Sequence, residues 1–253
     1  MDMPEKKPCA RLFLDSELIA DQMIKLDRDQ SHYLAQVMRV RSGEEIALFN
    51  GRDGEWRAVV SNVERKAVTL ACRSRLREQA DESDVWLAFA PLKKTRIDFV
   101  VEKATELGVA RLLPVITQYT AAARVNVERL SARVIEAAEQ CERLTVPSIE
   151  PPCALIELLS SWPGERTLFV LDETGAGRPI TEALMECAPT TDGSFPPCGF
   201  LIGPEGGFSS SELDAVRKRA FVTTVGVGPR ILRAETAALA ALACWQAIVG
   251  DWR

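Results

Sequence analysis

The sequence is poor in the side chains that usually hold metals or form catalytic triads. It contains one histidine, His32, and seven cysteines that lie far apart and form no C-x-x-C pair. A lone histidine argues against a Ser-His-Asp triad and against a histidine-rich metal site. The odd number of cysteines and their wide spacing argue against a disulfide framework or a zinc site. We therefore expect reduced thiols, no metal and a cytoplasmic location.

Long apolar runs and a strong charge bias are also absent. No stretch reaches 18 uninterrupted apolar residues, and residues 1–8 are charged and lack an apolar core. We therefore expect neither a membrane span nor a signal peptide. The net charge of −5, from 31 basic and 36 acidic residues, gives no overall attraction to nucleic acid. Any contact with RNA must come from a local basic surface.

The first 74 residues predict a small β-rich domain. Strands are expected at residues 11–14, 45–49, 55–60 and 67–73. One helix, at residues 31–38, interrupts them. Residues 75–84 are polar with few bulky apolar side chains, which is typical of a linker between domains.

Residues 85–253 alternate between short apolar strands and helices, which predicts a mostly parallel sheet with helices on both faces. Strands are expected at residues 85–90, 111–116, 167–171, 199–202 and 222–227. Helices are expected at 97–107, from about 126 to a point before Pro147, from a capping box at 209–212 to about 220, and at 234–249. The last helix is apolar nearly all round, so it should be buried on more than one side, in a domain core or a dimer interface.

A glycine-rich segment, LIGPEGGF at residues 201–208, lies between an expected strand and an expected helix. Its glycines allow backbone N–H and C=O groups to approach a ligand closely, and the helix N-terminus adds donors. The alternative is a plain strand-to-helix turn. No Gly-Lys-Ser/Thr follows and no G-x-G-x-x-G occurs, so the phosphate sites of P-loop and dinucleotide-binding proteins are not indicated.

A second glycine-rich segment, VGVGPRILRAETA at residues 225–237, leaves the last expected strand. Arg230 and Arg233 are spaced to present two guanidinium groups at the mouth of the sheet, where they suit a phosphate or a developing anion. The alternative is that they form structural ion pairs with Glu205 or Glu235. Both segments lie at the carboxyl ends of strands, where ligands bind in open α/β sheets.

Further motifs follow one another along nearly the whole chain. They are RLF at 11–13, SHYL at 31–34, VMRVRSGE at 37–44, KATELGV at 103–109, EAAEQCER at 136–143, VP at 146–147, IGPEGGF at 202–208 with Glu212, and RILRAETA at 230–237. In this order they resemble the RsmE family of 16S ribosomal RNA uracil-N3 methyltransferases, members of the SPOUT class.

The resemblance implies a catalytic domain at residues 85–253 threaded into a trefoil knot, preceded by a PUA-like RNA-binding domain at 1–74. It implies a homodimer that uses S-adenosylmethionine to methylate N3 of a uridine in the 16S RNA of the small ribosomal subunit. The cofactor residues that it implies are Leu171, Asp172, Glu173, Ile202, Gly203, Pro204, Gly206, Gly207, Val225, Gly226, Val227, Gly228, Ile231, Leu232, Arg233, Ala234 and Thr236.

Uridine N3 must lose its proton, so a base or a stabilising cation is needed beside it. Glu205 and Glu235 are the candidate bases, and Arg230 and Arg233 are the candidate cations. The candidates for RNA contact are Arg11, His32, Arg39, Arg41, Lys94 and Arg96.

One segment departs from the family pattern. The family usually has an Arg-Ser pair after Pro114, whereas residues 117–120 read TQYT here, with Arg124 as the candidate replacement. Two other functions stay open at this point. One is methylation of another RNA by the same class of enzyme. The other is a non-catalytic RNA-binding or ribosome-assembly factor, which predicts no cofactor binding.

Overall fold

The computed structural model describes most of the chain. The described residues are 7–64, 67–80, 82–121, 124–172, 174, 177–187 and 195–252, and of Lys94 only the backbone is described. Contacts group the chain into two compact units, residues 1–81 with 138–146 and residues 82–137 with 147–253. The boundaries expected from the sequence differ, because they assign residues 138–146 to the second domain.

The first unit is a five-stranded sheet with one short helix. Its elements are β1 (Ala10–Phe13), β2 (Met23–Lys25), α1 (Arg28–His32) with a π-helical continuation (Tyr33–Val37), β3 (Glu45–Phe49), β4 (Glu55–Glu64) and β5 (Ala67–Arg77). The strand order is β1-β3-β4-β5-β2, and the pair β1 and β3 is parallel while the other pairs are antiparallel. One apolar core includes Leu12, Ile46, Leu48, Val60 and Leu70. A sheet with one buried face explains the alternation of apolar and polar residues in these strands.

Two elements of this unit differ from expectation. The helix begins at Arg28 rather than residue 31 because Asp27 caps it, accepting a hydrogen bond from the Gln30 N–H at 2.8 Å. Strand β5 continues to Arg77, where it pairs with β4, so the first three residues of the expected linker belong to the strand. The end of β5 is largely exposed, so the alternation of burial that predicts a strand is weak there.

Arg11 holds residues 138–146 to the first unit. Its side chain is 9% exposed, and its Nε donates to Glu55 Oε1 at 2.6 Å. The other guanidinium nitrogens donate to the carbonyl oxygens of Ala138, at 2.7 Å, and Arg143, and the group lies 3.6 Å from the centre of the Phe49 ring. The Arg11 guanidinium, which was expected to contact RNA, is thus occupied inside the unit, and its contact with RNA stays a prediction.

The second unit is an α/β domain. Its strands are β6 (Val85–Phe89), β7 (Arg111–Ile116), β8 (Ser148–Ile149), β9 (Cys153–Ala154), β10 (Thr167–Leu171), β11 (Arg178–Pro179), β12 (Cys198–Ile202) and β13 (Val222–Gly226). Its helices are α2 (Lys94–Glu106), α3 (Val127–Gln140), α4 (Leu155–Ser161), α5 (Ile180–Met185), α6 (Ser210–Arg217) and α7 (Ala234–Ile248), except that residues 138–140 of α3 are grouped with the first unit. The strand order is β11-β13-β10-β12-β6-β7-β8, with β9 beside β7, and the pairs are parallel.

Both faces of this sheet are covered, as expected. Leu168 and Val170 of β10 and Leu201 of β12 belong to the apolar cluster that also contains residues of α4 and α6. The side chains of Phe169 and Phe200 alternate with these, are buried, and stack with ring centres 5.4 Å apart. Successive side chains of these strands are buried on opposite faces of the sheet. This explains why each strand is a continuous apolar run in the sequence.

The chain crosses itself near β13. This strand lies between β10 and β11, so the segment that joins β10 to β11 has to pass one end of β13. Gly177 is at the crossing, and a Cβ there would stand 2.5 Å from the carbonyl carbon of Val225, so only glycine fits. This threading, the parallel sheet and the β-rich first unit agree with the predicted fold class, which is confirmed.

Helix α7 is buried on several sides within one chain. It packs against α2, α5 and β12, and its Ala238, Ala241, Leu242 and Trp245 are buried. The expected burial on more than one side is therefore provided by the domain core. Within the described part of the chain, no helix has the length and apolar character needed to cross a membrane.

The Arg11 network gives a stability prediction. Changing Glu55 to Gln leaves the Arg11 guanidinium buried without its counter-charge, so we expect the free energy of opening of the first unit to fall by about 3 kcal/mol. Hydrogen exchange of the β1, β3 and β4 amides should show protection lowered roughly 150-fold. Glu17→Gln, at an exposed position, is the control. Unchanged protection in Glu55→Gln would contradict the role given to Arg11.

Candidate functional site

A cavity of about 650 Å³ opens at the carboxyl ends of β10, β12 and β13. Strand β10 lies between the other two in the parallel sheet, so the loops that follow all three strands meet at one edge. The lining residues are Leu171, Asp172, Thr174, Gly177, Pro179, Ile202, Gly203, Pro204, Glu205, Gly207, Phe208, Leu213, residues 225–234 and Ala237. The second unit alone supplies all of them.

The loop between β12 and α6 forms one wall. Gly207 has a φ of +70°, which would strain any other residue. The predicted capping box then starts α6, because the Ser209 Oγ accepts from the Glu212 N–H at 3.3 Å and the Glu212 carboxylate accepts from the Ser209 N–H at 2.9 Å. The loop is thus fixed at both ends, by the buried strand and by the capped helix.

The loop between β13 and α7 forms the opposite wall. Gly228 has a φ of +100°, and Ile231 is 83% exposed. Arg230 and Arg233 are exposed, and among the described residues neither has a carboxylate oxygen within 4.0 Å. The alternative of structural ion pairs between these arginines and Glu205 or Glu235 is therefore not what the structure shows.

Arg96, at the start of α2, pairs with both glutamates instead. Its Nη1 donates to Glu205 Oε1 at 2.8 Å, and its Nε lies 3.6 Å from Glu235 Oε1. Glu205 belongs to the loop after β12 and Glu235 to the first turn of α7, so one guanidinium links two of the segments around the cavity. Arg96 was expected to contact RNA; its charge is engaged by two carboxylates, and the RNA contact stays a prediction.

Asp172 anchors the third loop, the one that leaves β10. Its side chain is 1% exposed, accepts the Thr174 N–H at 2.8 Å and lies 3.0 Å from Arg217 Nη2 on α6. Burial alone would raise the pKa of Asp172, but the hydrogen bonds from Thr174 and Arg217 outweigh it and hold this pKa below its usual range. The carboxylate is therefore ionised and fixes the loop against α6.

Comparison with known proteins assigns the family. The RNA methyltransferase domain family matches residues 79–246, and the RNA methyltransferase PUA domain family matches residues 26–71. The ribosomal RNA small subunit methyltransferase E of Rickettsia conorii is 30% identical over 234 residues, which cover 92% of this chain and 93% of that relative. This chain belongs to the ribosomal RNA small subunit methyltransferase E family. The resemblance read from the motifs is confirmed.

Two further members of the methyltransferase E family are similar over most of their length. The protein of Bacillus subtilis is 26% identical and is matched over 85% of this chain and 86% of its own. The solved structure of the Neisseria gonorrhoeae protein, bound to S-adenosyl methionine, superposes with a TM-score of 0.83. It is 28% identical, and the match covers 96% of this chain and 99% of that one.

Most residues expected to hold the cofactor of a methyltransferase E line the cavity. Leu171, Asp172, Ile202, Gly203, Pro204, Gly207, Val225, Gly226, Val227, Gly228, Ile231, Leu232, Arg233 and Ala234 do so. Gly206 and Thr236 are not in the lining, and Glu173 lies outside the described residues. The absent Cβ of Gly206 faces Tyr119 rather than the cavity.

Three of the four expected catalytic residues line the cavity. Glu205, Arg230 and Arg233 line the cavity, whereas Glu235 does not. Glu235 is 14% exposed, and its Oε2 is buried with no hydrogen-bond partner among the described residues. Glu235 lies beside Arg96, and its expected catalytic role stays a prediction.

Several lining residues were not among the expected site residues. Thr174 and Gly177 lie between β10 and β11, and Pro179 belongs to β11. No local pattern reveals that this part of the chain returns to the ligand edge. Phe208 and Leu213 lie in the glycine-rich segment and in the first turn of α6. The capping box was the available signal for these two, because it fixes the helix N-terminus beside the loop.

Three further candidates for RNA contact are in the first unit. His32, Arg39 and Arg41 are exposed, and Arg39 has a φ of +55°. Among the described residues, no carboxylate oxygen lies within 4.0 Å of the side chains of these three. The side chain of Lys94 lies outside the described atoms.

The Asp172 anchor predicts a pH-dependent loss of stability. Because the pKa is lowered in the folded state, the stabilisation is present above the unfolded value of about 3.9 and is lost as the pH falls through the folded pKa. Asp172→Asn should therefore cost about 1.5 kcal/mol of unfolding free energy at pH 7, and progressively less in acid. Chemical denaturation at several pH values measures this. Asp214→Asn, exposed on α6, is the control, and a cost that does not change with pH would contradict the prediction.

Proposed function

We propose that this protein transfers the methyl group of S-adenosylmethionine to N3 of a uridine in the 16S RNA of the small ribosomal subunit. The observation that carries the proposal is the cavity at the ends of β10, β12 and β13, in a chain of this methyltransferase family. A relative of the same family, from Neisseria gonorrhoeae, has been solved with S-adenosyl methionine bound.

The cavity suits a nucleoside-sized cofactor. Its volume of about 650 Å³ is typical of small-molecule sites. Leu171, Ile202, Phe208 and Leu232 give it apolar surface, and glycines of both glycine-rich loops line it. The backbone amides of Ile231 and Leu232 are suited to recognition of adenine. When bound, the cofactor supplies an electrophilic methyl carbon on a sulfonium.

Side chains of the protein stabilise the negative charge that develops on the uracil and accept its N3 proton. Arg230 and Arg233 are exposed at the cavity and have no carboxylate partner among the described residues, so their charge is available to uracil oxygens or to phosphate. Glu205 lines the cavity and is 37% exposed, and we assign it as the base that accepts the N3 proton. Its hydrogen bond from Arg96 fixes the direction of its carboxylate.

The rest of the RNA needs contacts away from the cavity. We assign these to His32, Arg39 and Arg41 of the β-rich first unit, whose exposed side chains can meet phosphate and sugar. We further assign the exposed Ile231, which lines the cavity, to burial against a second copy of the chain in a homodimer. The substrate places the protein with the ribosomal subunits in the cytoplasm.

The reaction itself gives the next prediction. Purified protein, supplied with labelled S-adenosylmethionine and small subunits lacking the modification, should transfer label to 16S RNA. Nuclease digestion and mass spectrometry should then identify 3-methyluridine. Another methylated product would assign the enzyme a different RNA or a different atom. No cofactor binding at all would favour a non-catalytic RNA-binding or assembly factor.

The cations at the cavity can be tested in the same assay. Arg233→Ala should lower kcat/KM roughly 10- to 150-fold, because a hydrogen bond to a charged group contributes about 1.5–3 kcal/mol. The variant should keep its thermal midpoint, since Arg233 is exposed. Lys218→Ala, an exposed cation on the same unit, is the control. Equal activity of Arg233→Ala and wild type would remove Arg233 from the mechanism.

A further inference from the structure

Tyr119 is an exposed aromatic residue in the turn that follows β7. It is one of two tyrosines in the sequence, and 49% of it is exposed. Strand β7 is parallel to β6, which is parallel to β12, so the turn after β7 lies at the same edge of the sheet as the cavity. Tyr119 does not line the cavity.

The turn that carries Tyr119 is fixed on both sides. Thr120 Oγ1 accepts the Thr117 N–H at 2.8 Å, and the Thr120 N–H donates to the Thr117 carbonyl at 3.2 Å. The Gln118 N–H donates to Glu212 Oε1 at 2.8 Å. Because the other oxygen of Glu212 caps α6, one carboxylate connects the turn to the loop that forms a cavity wall.

Tyr119 lies directly against that loop. A Cβ on Gly206 would stand 3.1 Å from the Tyr119 Cβ and 3.6 Å from its Cγ. Glu205 and Gly207, the neighbours of Gly206, both line the cavity, so Tyr119 borders the mouth of the cavity from outside. Tyr119 packs closely against Gly206, which has no side chain, and about half of the tyrosine stays exposed to solvent.

An aromatic side chain held in a fixed turn is suited to stacking with a nucleobase. Single-stranded RNA is recognised by unstacked bases that lie on aromatic side chains, and each such stack contributes about 1–3 kcal/mol. Little side-chain entropy is lost on binding, because a tyrosine has only two rotatable side-chain bonds and the backbone here is already fixed. The position outside the cavity suits a base next to the target rather than the target itself.

We propose that Tyr119 stacks with the nucleobase that neighbours the methylated uridine in the RNA chain. This rests on the proposed function, since it takes RNA as the substrate and the cavity as the place of methyl transfer. Tyr119 would act in RNA binding and in placing the target, without contact with the cofactor.

The test compares Tyr119→Ala, Tyr119→Phe and wild type. Tyr119→Ala should raise the Kd for an RNA fragment that contains the target uridine by about 5- to 150-fold. Tyr119→Phe should bind like wild type, because the ring is kept. The Kd for S-adenosylmethionine should be the same in all three proteins, which also shows that the variants are folded. Gln118→Ala is the matched control, because the bond from residue 118 to Glu212 is made by the backbone.

A second arm identifies the base and separates stacking from a general effect. Each nucleotide beside the target uridine is replaced in turn by an abasic one. At the stacked position, the abasic RNA should bind wild type as weakly as normal RNA binds Tyr119→Ala, and the two changes together should weaken binding no further. The proposal would be overturned if the losses of RNA affinity from Tyr119→Ala and from the abasic nucleotide were fully additive at every position. An unchanged Kd of Tyr119→Ala for RNA would also overturn it.

Binding is measured without turnover, so the result does not depend on methyl transfer. If wild type binds the RNA and responds to the Tyr119 variants but makes no 3-methyluridine, the proposed function fails and the stacking site stands. If wild type methylates the RNA and Tyr119→Ala binds it equally well, the stacking proposal fails and the proposed function stands.

Discussion

The parallel alignment of β10 with β12 on one side and β13 on the other is the constraint on which the site depends. Leu171 lies level with Val225 of β13, and Val170 with Leu201 of β12, so the three strands end at the same level of the sheet. Backbone hydrogen bonds fix this register, and a shift by one residue would exchange the two buried faces. The loops that follow these strands therefore meet at one edge of the sheet and line the same cavity.

Three carboxylates connect irregular segments at this edge of the sheet to the helices. Asp172 joins the β10 loop to Arg217 of α6, Glu212 joins the turn after β7 to the start of α6, and Glu205 joins the β12 loop to Arg96 of α2. Each bond uses a side chain from a regular element to hold an irregular segment. A cavity shaped before the cofactor arrives loses less entropy on binding, which favours affinity.

The basic residues show where sequence reasoning stops. Arg11, Arg96, Arg230 and Arg233 all lie in motifs of the family, and all were expected to contact RNA or substrate. The structure engages Arg11 with Glu55 and two carbonyls and Arg96 with two glutamates, while Arg230 and Arg233 remain without a carboxylate partner among the described residues. An arginine looks the same in the sequence in either case, because its partners are distant in the chain and only packing brings them together.

The sequence by itself determined the family, the two-part organisation, the strand positions near the site and both glycine-rich loops. These features are local: strand periodicity, capping at Ser209 and glycine content depend on neighbouring residues. Only the tertiary structure decided that Gly177 crosses β13, that Gly206 faces Tyr119 rather than the cavity, and that Arg96 pairs with both glutamates. Each of these joins residues that are far apart in the chain and that only the packing of the fold brings together, so no local pattern in the sequence encodes them.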